Sequence, residues 1–340
     1  MPVLVSRPLP PLLVLTLGLL ASASAEAAPR IEARDAGRGG VFVVVDEGAR
    51  TVVGRSGAPS ATLPRGVAIS SVAQLGEDWL VAGTRRMPAG RELYFARGAG
   101  GAVRELPLPA GRPGRLRHDP ALLVDGTRLA GAAWLEGDRE GAFAVLWAEW
   151  DGEAFLAPAT VSPVPPTGTQ LALAATQLAD GRRLLVWAGF DGEDDEIWAA
   201  LGDATGWSRP LRVAPDNRVP DITPAVVATP GGALVAWSRF DGEEYRVAMA
   251  RLEGSRFLAA RDLGPPGSLF PSFEATAAGT ALLSRDARRG EWELTTLSAD
   301  GRPGRRARLV AGADDRPLVR ADGSGVVWEL GERSAISSWD

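Results

Sequence analysis

The sequence predicts an all-β fold made of one repeated antiparallel unit, and three observations carry the prediction. Residues 185–198 read LVWAGFDGEDDEIW and residues 234–247 read LVAWSRFDGEEYRV, the same phrase about fifty residues apart. Aligned on its Trp, the series runs Trp134, Trp187, Trp237, and continues through Gly83 before it and Ser284 and Trp328 after it. No long segment carries apolar residues at helical spacing, so helix is expected to be nearly absent. Periods of roughly 20 to 50 residues indicate solenoids or propellers. Four antiparallel strands per period describe a β-propeller blade, whose radial packing removes most strand edges from solvent. The units count to six.

The elements follow in chain order. Arg7 precedes the apolar run Leu12 to Leu20, and Ala23-Ser24-Ala25 and Ala25-Glu26-Ala27 offer A-x-A cleavage sites, so residues 1–25 read as a signal peptide. Residues 26–40 read as a flexible mature N-terminus and 41–340 as one propeller domain. The run Val41-Phe42-Val43-Val44-Val45 has no partner in sequence. The last unit, Pro317 to Asp340, has room for only three strands, so the N-terminal strand is expected to complete that blade and close the ring beside Val326 to Leu330.

Within the units the clearest reading is Ala225 to Thr229, Ala233 to Ser238, Tyr245 to Leu252 and Arg256 to Leu263, with a Pro-Gly-Gly turn and Phe-Asp-Gly-Glu between strands. Asp-Gly between apolar runs predicts a type I′ hairpin, because both residues tolerate positive φ. The recurring Trp, mid-strand among aliphatics, reads as packing between neighbouring blades.

Composition excludes several function classes. The chain has no Cys, hence no disulfide, no thiol catalysis and no thiolate metal site. Its net charge of −5 argues against nucleic acid as partner. All 37 basic residues are Arg, as GC-rich bacterial coding would produce. After the signal peptide no stretch is apolar enough to span a membrane. The expected location is periplasmic or secreted.

The stretch Asp203-Ala204-Thr205-Gly206-Trp207-Ser208-Arg209-Pro210, followed by Asp221-Ile222-Thr223-Pro224, resembles the worn Asp-box (BNR-type) repeats of sialidase-like propellers. The resemblance covers mainly residues 128–265. A full Asp box, S-x-D-x-G-x-T-W, occurs nowhere, and Ser298-Ala299-Asp300-Gly301 is its front half. The family's activity implies an arginine cluster, a Tyr–Glu nucleophilic pair and an acid/base near the ring axis. Here the two tyrosines, Tyr94 and Tyr245, fall on third strands away from the axis. Glu244 beside Tyr245 would point to the opposite face.

No catalytic residue, cofactor or metal is assigned. His118, the only His, sits in Arg117-His118-Asp119-Pro120, read as a connecting loop. The run Asp191 to Glu196 lacks the spacing of calcium loops and reads as a solvated hairpin tip. The innermost strands converge on the channel mouth, and long links such as Ser162 to Gln170 and Ala214 to Pro224 share that face. Counting back from each Trp slot lands on Arg65, Arg117, His118, Asp119, Gln170, Asp221, Asp314 and Arg316. This ring of mixed charge suits a polar ligand held by Arg forks, or else caps the connecting loops. The expectation is an exported, non-catalytic binding or scaffold module for a glycan or protein. The rival is a divergent glycoside hydrolase of the sialidase-like superfamily.

Overall fold

A computed structural model of the chain describes residues 61–309, except 89, 100, 113, 127, 139–141, 166–169, 277 and 278, together with the strands of 30–55 and parts of 317–339. The expected signal peptide and the residues Asp314 and Arg316 lie outside the described residues.

All described elements are strands, paired antiparallel with their sequence neighbours. The first complete blade is β5 (Val67–Leu75), β6 (Asp78–Met87), β7 (Gly90–Ala99) and β8 (Ala102–Glu105). It follows an N-terminal sheet of β1 (Arg30–Asp35), β2 (Phe42–Asp46), β3 (Thr51–Arg55) and β4 (Ala61–Thr62). The second blade is β9 (Leu116–Asp125), β10 (Arg128–Gly137), β11 (Phe143–Glu149) and β12 (Ala159–Ser162). The third is β13 (Gln170–Gln177), β14 (Arg183–Phe190) and β15 (Asp195–Asp203), with an outer strand broken into β16 (Gly206–Trp207) and β17 (Leu211–Arg212). The fourth repeats this form as β18 (Asp221–Thr229), β19 (Gly232–Phe240), β20 (Tyr245–Glu253), β21 (Arg256–Phe257) and β22 (Arg261–Asp262). The fifth is β23 (Ser268–Thr276), β24 (Gly279–Asp286), β25 (Glu291–Leu297) and β26 (Pro303–Leu309). A three-stranded sheet follows, β27 (Leu318–Ala321), β28 (Val326–Leu330) and β29 (Arg333–Ser337).

The chain is therefore a β-propeller of four-stranded antiparallel blades, with five complete blades rather than the six expected. The expected closure also fails. β2 has β1 on one edge and β3 on the other, while β28 pairs, among the described strands, with β27 and β29, so the N-terminal run completes its own sheet and not the last one. Once both edges of a strand are hydrogen-bonded it has no free ladder to offer.

The core lies between blades. Trp134 packs with Leu75, Leu80 and Phe95 of the first blade, Trp187 with Leu123, Leu135 and Trp147 of the second, and Trp237 with Leu184, Val186 and Ile197 of the third. All three indoles are buried, as their mid-strand position among aliphatics predicts. In the first blade the same slot holds Gly83, where an added Cβ would stand 2.1 Å from the Ala68 carbonyl oxygen.

The Asp-Gly hairpins differ from the type I′ expectation. Phe190 pairs with Asp195 and Phe240 with Tyr245 across four-residue loops. The first loop residue caps the turn with its side chain. Asp191 Oδ1 accepts the N–H groups of Glu193 (2.9 Å) and Asp194 (3.3 Å), and Asp241 Oδ1 those of Glu243 (3.0 Å) and Glu244 (2.9 Å). Only the glycines, Gly192 and Gly242, take positive φ. A carboxylate that satisfies two loop donors wins over a turn needing two consecutive positive φ values.

Candidate ligand site on the central cavity

The first strands of successive blades, β5, β9, β13, β18 and β23, neighbour one another and so line the axis. Each breaks register with its second strand at the same place, around Ser70, Asp119, Ala172, Thr223 and Phe270. Four of these residues have left-handed backbone, with φ of 48° at Asp119, 43° at Ala172, 52° at Thr223 and 56° at Phe270. A bulge adds one residue that the ladder does not use and re-aims its side chain. Proline follows at 120, 224 and 271, where the interrupted ladder asks for no donor.

The bulges surround a central cavity of about 350 Å³, lined by the five bulge residues, the three prolines, Leu173 and Trp292. Hydrogen bonds between blades fix its wall. Ser70 Oγ donates to the Pro120 carbonyl (2.7 Å), and Ser71 Oγ accepts the Leu122 N–H (3.2 Å). The Phe270 N–H, freed by its bulge, donates to Ser238 Oγ of the preceding blade (3.0 Å), which also meets Thr223 Oγ1 (2.7 Å). Left-handed backbone costs a residue with a Cβ about 1 to 3 kcal/mol. Here a side chain occupies the position in four blades, and the phenyl ring of Phe270 stays 48 % exposed. Hydroxyls of Ser70 and Thr223, the carboxylate of Asp119 and the faces of Phe270 and the prolines are what this surface offers.

The residues expected from the sequence fall differently. Asp119 lines the cavity, and His118 holds it, Nδ1 to Oδ2 at 2.9 Å, while standing edge-on to Phe143. His118 lies within β9 and not on a connecting loop. Arg117 donates to the Pro109 carbonyl (3.1 Å) and approaches Glu136 (3.7 Å). Gln170 is buried and donates to Ser162 Oγ and the Pro163 carbonyl. Asp221 is buried against Arg239. Arg65 is exposed on the turn before β5. Neither tyrosine lines the cavity: Tyr94 is buried on β7, its phenol pushed up to about 12 by burial, and Tyr245 packs on Phe240. Glu244 is taken by Arg288 at 2.5 Å.

Burial corrects the reading of Asp191 to Glu196 as a solvated tip, because Asp194 and Glu196 are buried where the third blade meets the link to the fourth. One oxygen each of Asp191, Glu196 and Asp216 lie within 4.8 Å of one another, the arrangement among the described residues best suited to a metal ion. Arg212 joins the group, 2.7 Å from Asp191 Oδ2 and 3.5 Å from Glu196 Oε1, and also contacts Asp216. Glu196 Oε1 accepts the Asn217 backbone N–H at 3.0 Å. Burial pushes the Glu196 carboxyl up to about 7 and that of Asp194 up to about 6, with neighbouring carboxylates adding to both.

No protein-family model matches the chain, and no curated protein matches it. Among solved structures it is similar to a lectin from Burkholderia pseudomallei, with TM-score 0.62 and 14% identity over 92% of this chain and 98% of that one. It is also similar to a polysaccharide lyase, with TM-score 0.58 and 9% identity over 92% and 90% of the two chains. A third is a puromycin-hydrolyzing peptidase from Mycobacterium tuberculosis, with TM-score 0.56 and 14% identity over 89% of this chain, which spans only 50% of the peptidase. At such identities the likeness is one of fold, and it agrees with the propeller that the blades describe. No helix among the described residues is long and apolar enough to cross a membrane.

Proposed function

We propose that the protein is an exported binding module that takes a glycan at the central cavity. One observation carries the reading: Phe270, a large apolar side chain, is held exposed and in left-handed backbone on a wall that also presents two hydroxyls and one carboxylate. An aromatic face for the apolar side of a sugar ring, with a few polar groups to orient its hydroxyls, is the general form of a small-ligand site. The lectin and lyase similar in fold lend the reading context only. Two-carboxylate hydrolysis would need a second acid about 5 to 10 Å from the first, and Asp119 is the only acidic residue on the described wall. Binding is thus better supported than catalysis. The turn at Asp203, whose Oδ1 accepts both the N–H (2.7 Å) and the hydroxyl (2.6 Å) of Thr205, supports a place among the sialidase-like propellers. The A-x-A stretch ending at Ala25 supports export, which N-terminal sequencing of the mature protein checks.

The test is a glycan-array screen followed by titration of the hits. Phe270→Ala is expected to weaken binding at least tenfold while leaving the melting temperature within a few degrees, since the ring is half exposed. Binding that survives Phe270→Ala and Asp119→Asn together would place the site elsewhere, and the absence of any glycan hit would remove the proposal.

A further inference from the structure

We propose that the junction of the third and fourth blades is a divalent-cation site, built by Asp191, Glu196 and Asp216 with Asp194 behind them. The three carboxylates bring an oxygen each within 4.8 Å of the others, a spacing a single ion can bridge once Arg212, which contacts all three, turns aside. The second observation is independent of that spacing. Both oxygens of Asp194 and Oε2 of Glu196 are buried without a hydrogen-bond partner, on residues only 8 % and 0 % exposed. Unpaired buried carboxylate oxygens are costly, and buried charges are ordinarily paired or coordinate metals.

The local charge points the same way. Among the described residues, Asp191, Asp194, Glu196, Asp216 and Asp221 meet two guanidinium groups, those of Arg212 and Arg239. Asp194 lies close enough to Asp191, Asp221 and Asp216 for each to act on its charge. Arg218, the other cation of the link, is turned outward to Glu193. Arg212 is shared among three carboxylates and stacks over the Trp198 ring at 5.0 Å, so it does not reach the free oxygens of Asp194. A doubly charged ion would neutralise most of the remaining excess. The donors are all carboxylate oxygen, with no His or thiolate, which selects a hard cation and favours Ca²⁺ with its larger and more flexible shell over Mg²⁺. Asp216, 67 % exposed, leaves a way in from solvent.

The experiment uses the full mature chain, stripped with chelator and titrated with CaCl₂, with MgCl₂ in parallel, by calorimetry and by thermal unfolding. Saturable binding of one Ca²⁺ with a rise in melting temperature is expected. Asp194→Asn with Glu196→Gln should abolish both, and Asp216→Asn, at an exposed position, should weaken binding at least tenfold. Failure of the wild-type chain to bind either ion saturably at millimolar concentration would overturn the proposal. So would undiminished binding in Asp216→Asn.

Discussion

The hairpin loops at 191–194 and 241–244 share a sequence, a backbone and a capping carboxylate, yet their electrostatics are opposite. Around Asp241 the next strand supplies Arg246, whose Nε lies 2.6 Å from Asp241 Oδ2, and Asp262 on the outer strand completes an alternating set. The position equivalent to Arg246 in the third blade is Glu196, and the one equivalent to Asp262 is Arg212, each paired across to its third strand at matching register. The signs are exchanged and the depth is changed. Arg246 is 33 % exposed, whereas Glu196 is buried and shares its single arginine with Asp191 and Asp216. The repeat therefore specifies the loop, and the strand that follows decides whether the loop is an inert surface turn or a buried acidic pocket.

The largest effect is expected from giving the third blade the fourth blade's residue. Glu196→Arg buries a second guanidinium beside Arg212 and removes the acceptor of the Asn217 N–H. A loss of about 3 to 5 kcal/mol is expected, the cost of breaking the buried Glu196–Arg212 pair by removing one partner. Adding Arg212→Asp recreates the Arg246 and Asp262 pairing, so denaturant titration of the double variant should recover about 1 to 3 kcal/mol of that loss. A double variant no more stable than Glu196→Arg alone would break the proposed equivalence of the two positions.

A smaller effect separates the loops by pH. Burial raises the Glu196 carboxyl from its ordinary 4.5 to about 7, so the folded state holds a proton there that the unfolded state releases. Its stabilising contribution is full below about 4.5 and is lost as pH rises toward 7. Asp194, raised to about 6, adds a loss over a lower window. Asp241 behaves in the reverse sense. The Glu244 N–H first, then Arg246 and the Glu243 N–H, lower it from 3.8 to about 2, so its contribution is present above 3.8 and lost as pH falls toward 2. Melting temperature measured without divalent ions should decline on both sides. Glu196→Gln should flatten only the neutral limb, and Asp241→Asn only the acid one.

What the sequence reveals of this architecture depends on how local the signal is. Strand order within a blade is legible because Trp187 and Trp237 repeat with their flanking aliphatics and turns. The blade count is not, because β1 and β3, RIEARD and TVVGR, carry neither the Trp slot nor a regular apolar alternation, yet they take both edges of β2. The cavity wall leaves a partial trace. Asp119-Pro120, Thr223-Pro224 and Phe270-Pro271 place Pro inside first strands, which marks a bulge, while Ser70 and Ala172 have no such mark. The acidic pocket is the least legible of all. Arg212, Asp216 and Asp221 approach Asp191 and Glu196 from the outer strand, the link and the first strand of the next blade, so the burial that sets its chemistry is non-local.

The smallest effect tests what the two loops share. Gly192 and Gly242 sit at φ of 118° and 99°, and a Cβ at either would meet nothing within 4 Å. Substitution by Ala therefore creates no clash with neighbours, and its cost is the backbone strain of an L residue at that φ, about 1 to 2 kcal/mol. That strain is uncharged and local. It should be the same in both blades, unchanged between pH 4 and pH 8, and unaffected by Ca²⁺, in contrast to every substitution that touches Glu196. Thermal unfolding of Gly192→Ala and Gly242→Ala across pH provides the measurement. Equal losses place the whole difference between the loops in the side chains at 194, 196, 212 and 216. A Gly192→Ala variant that loses more at pH 8 than at pH 4 would mean that the loop backbone itself is coupled to the acidic pocket, and that the shared phrase encodes more than a turn.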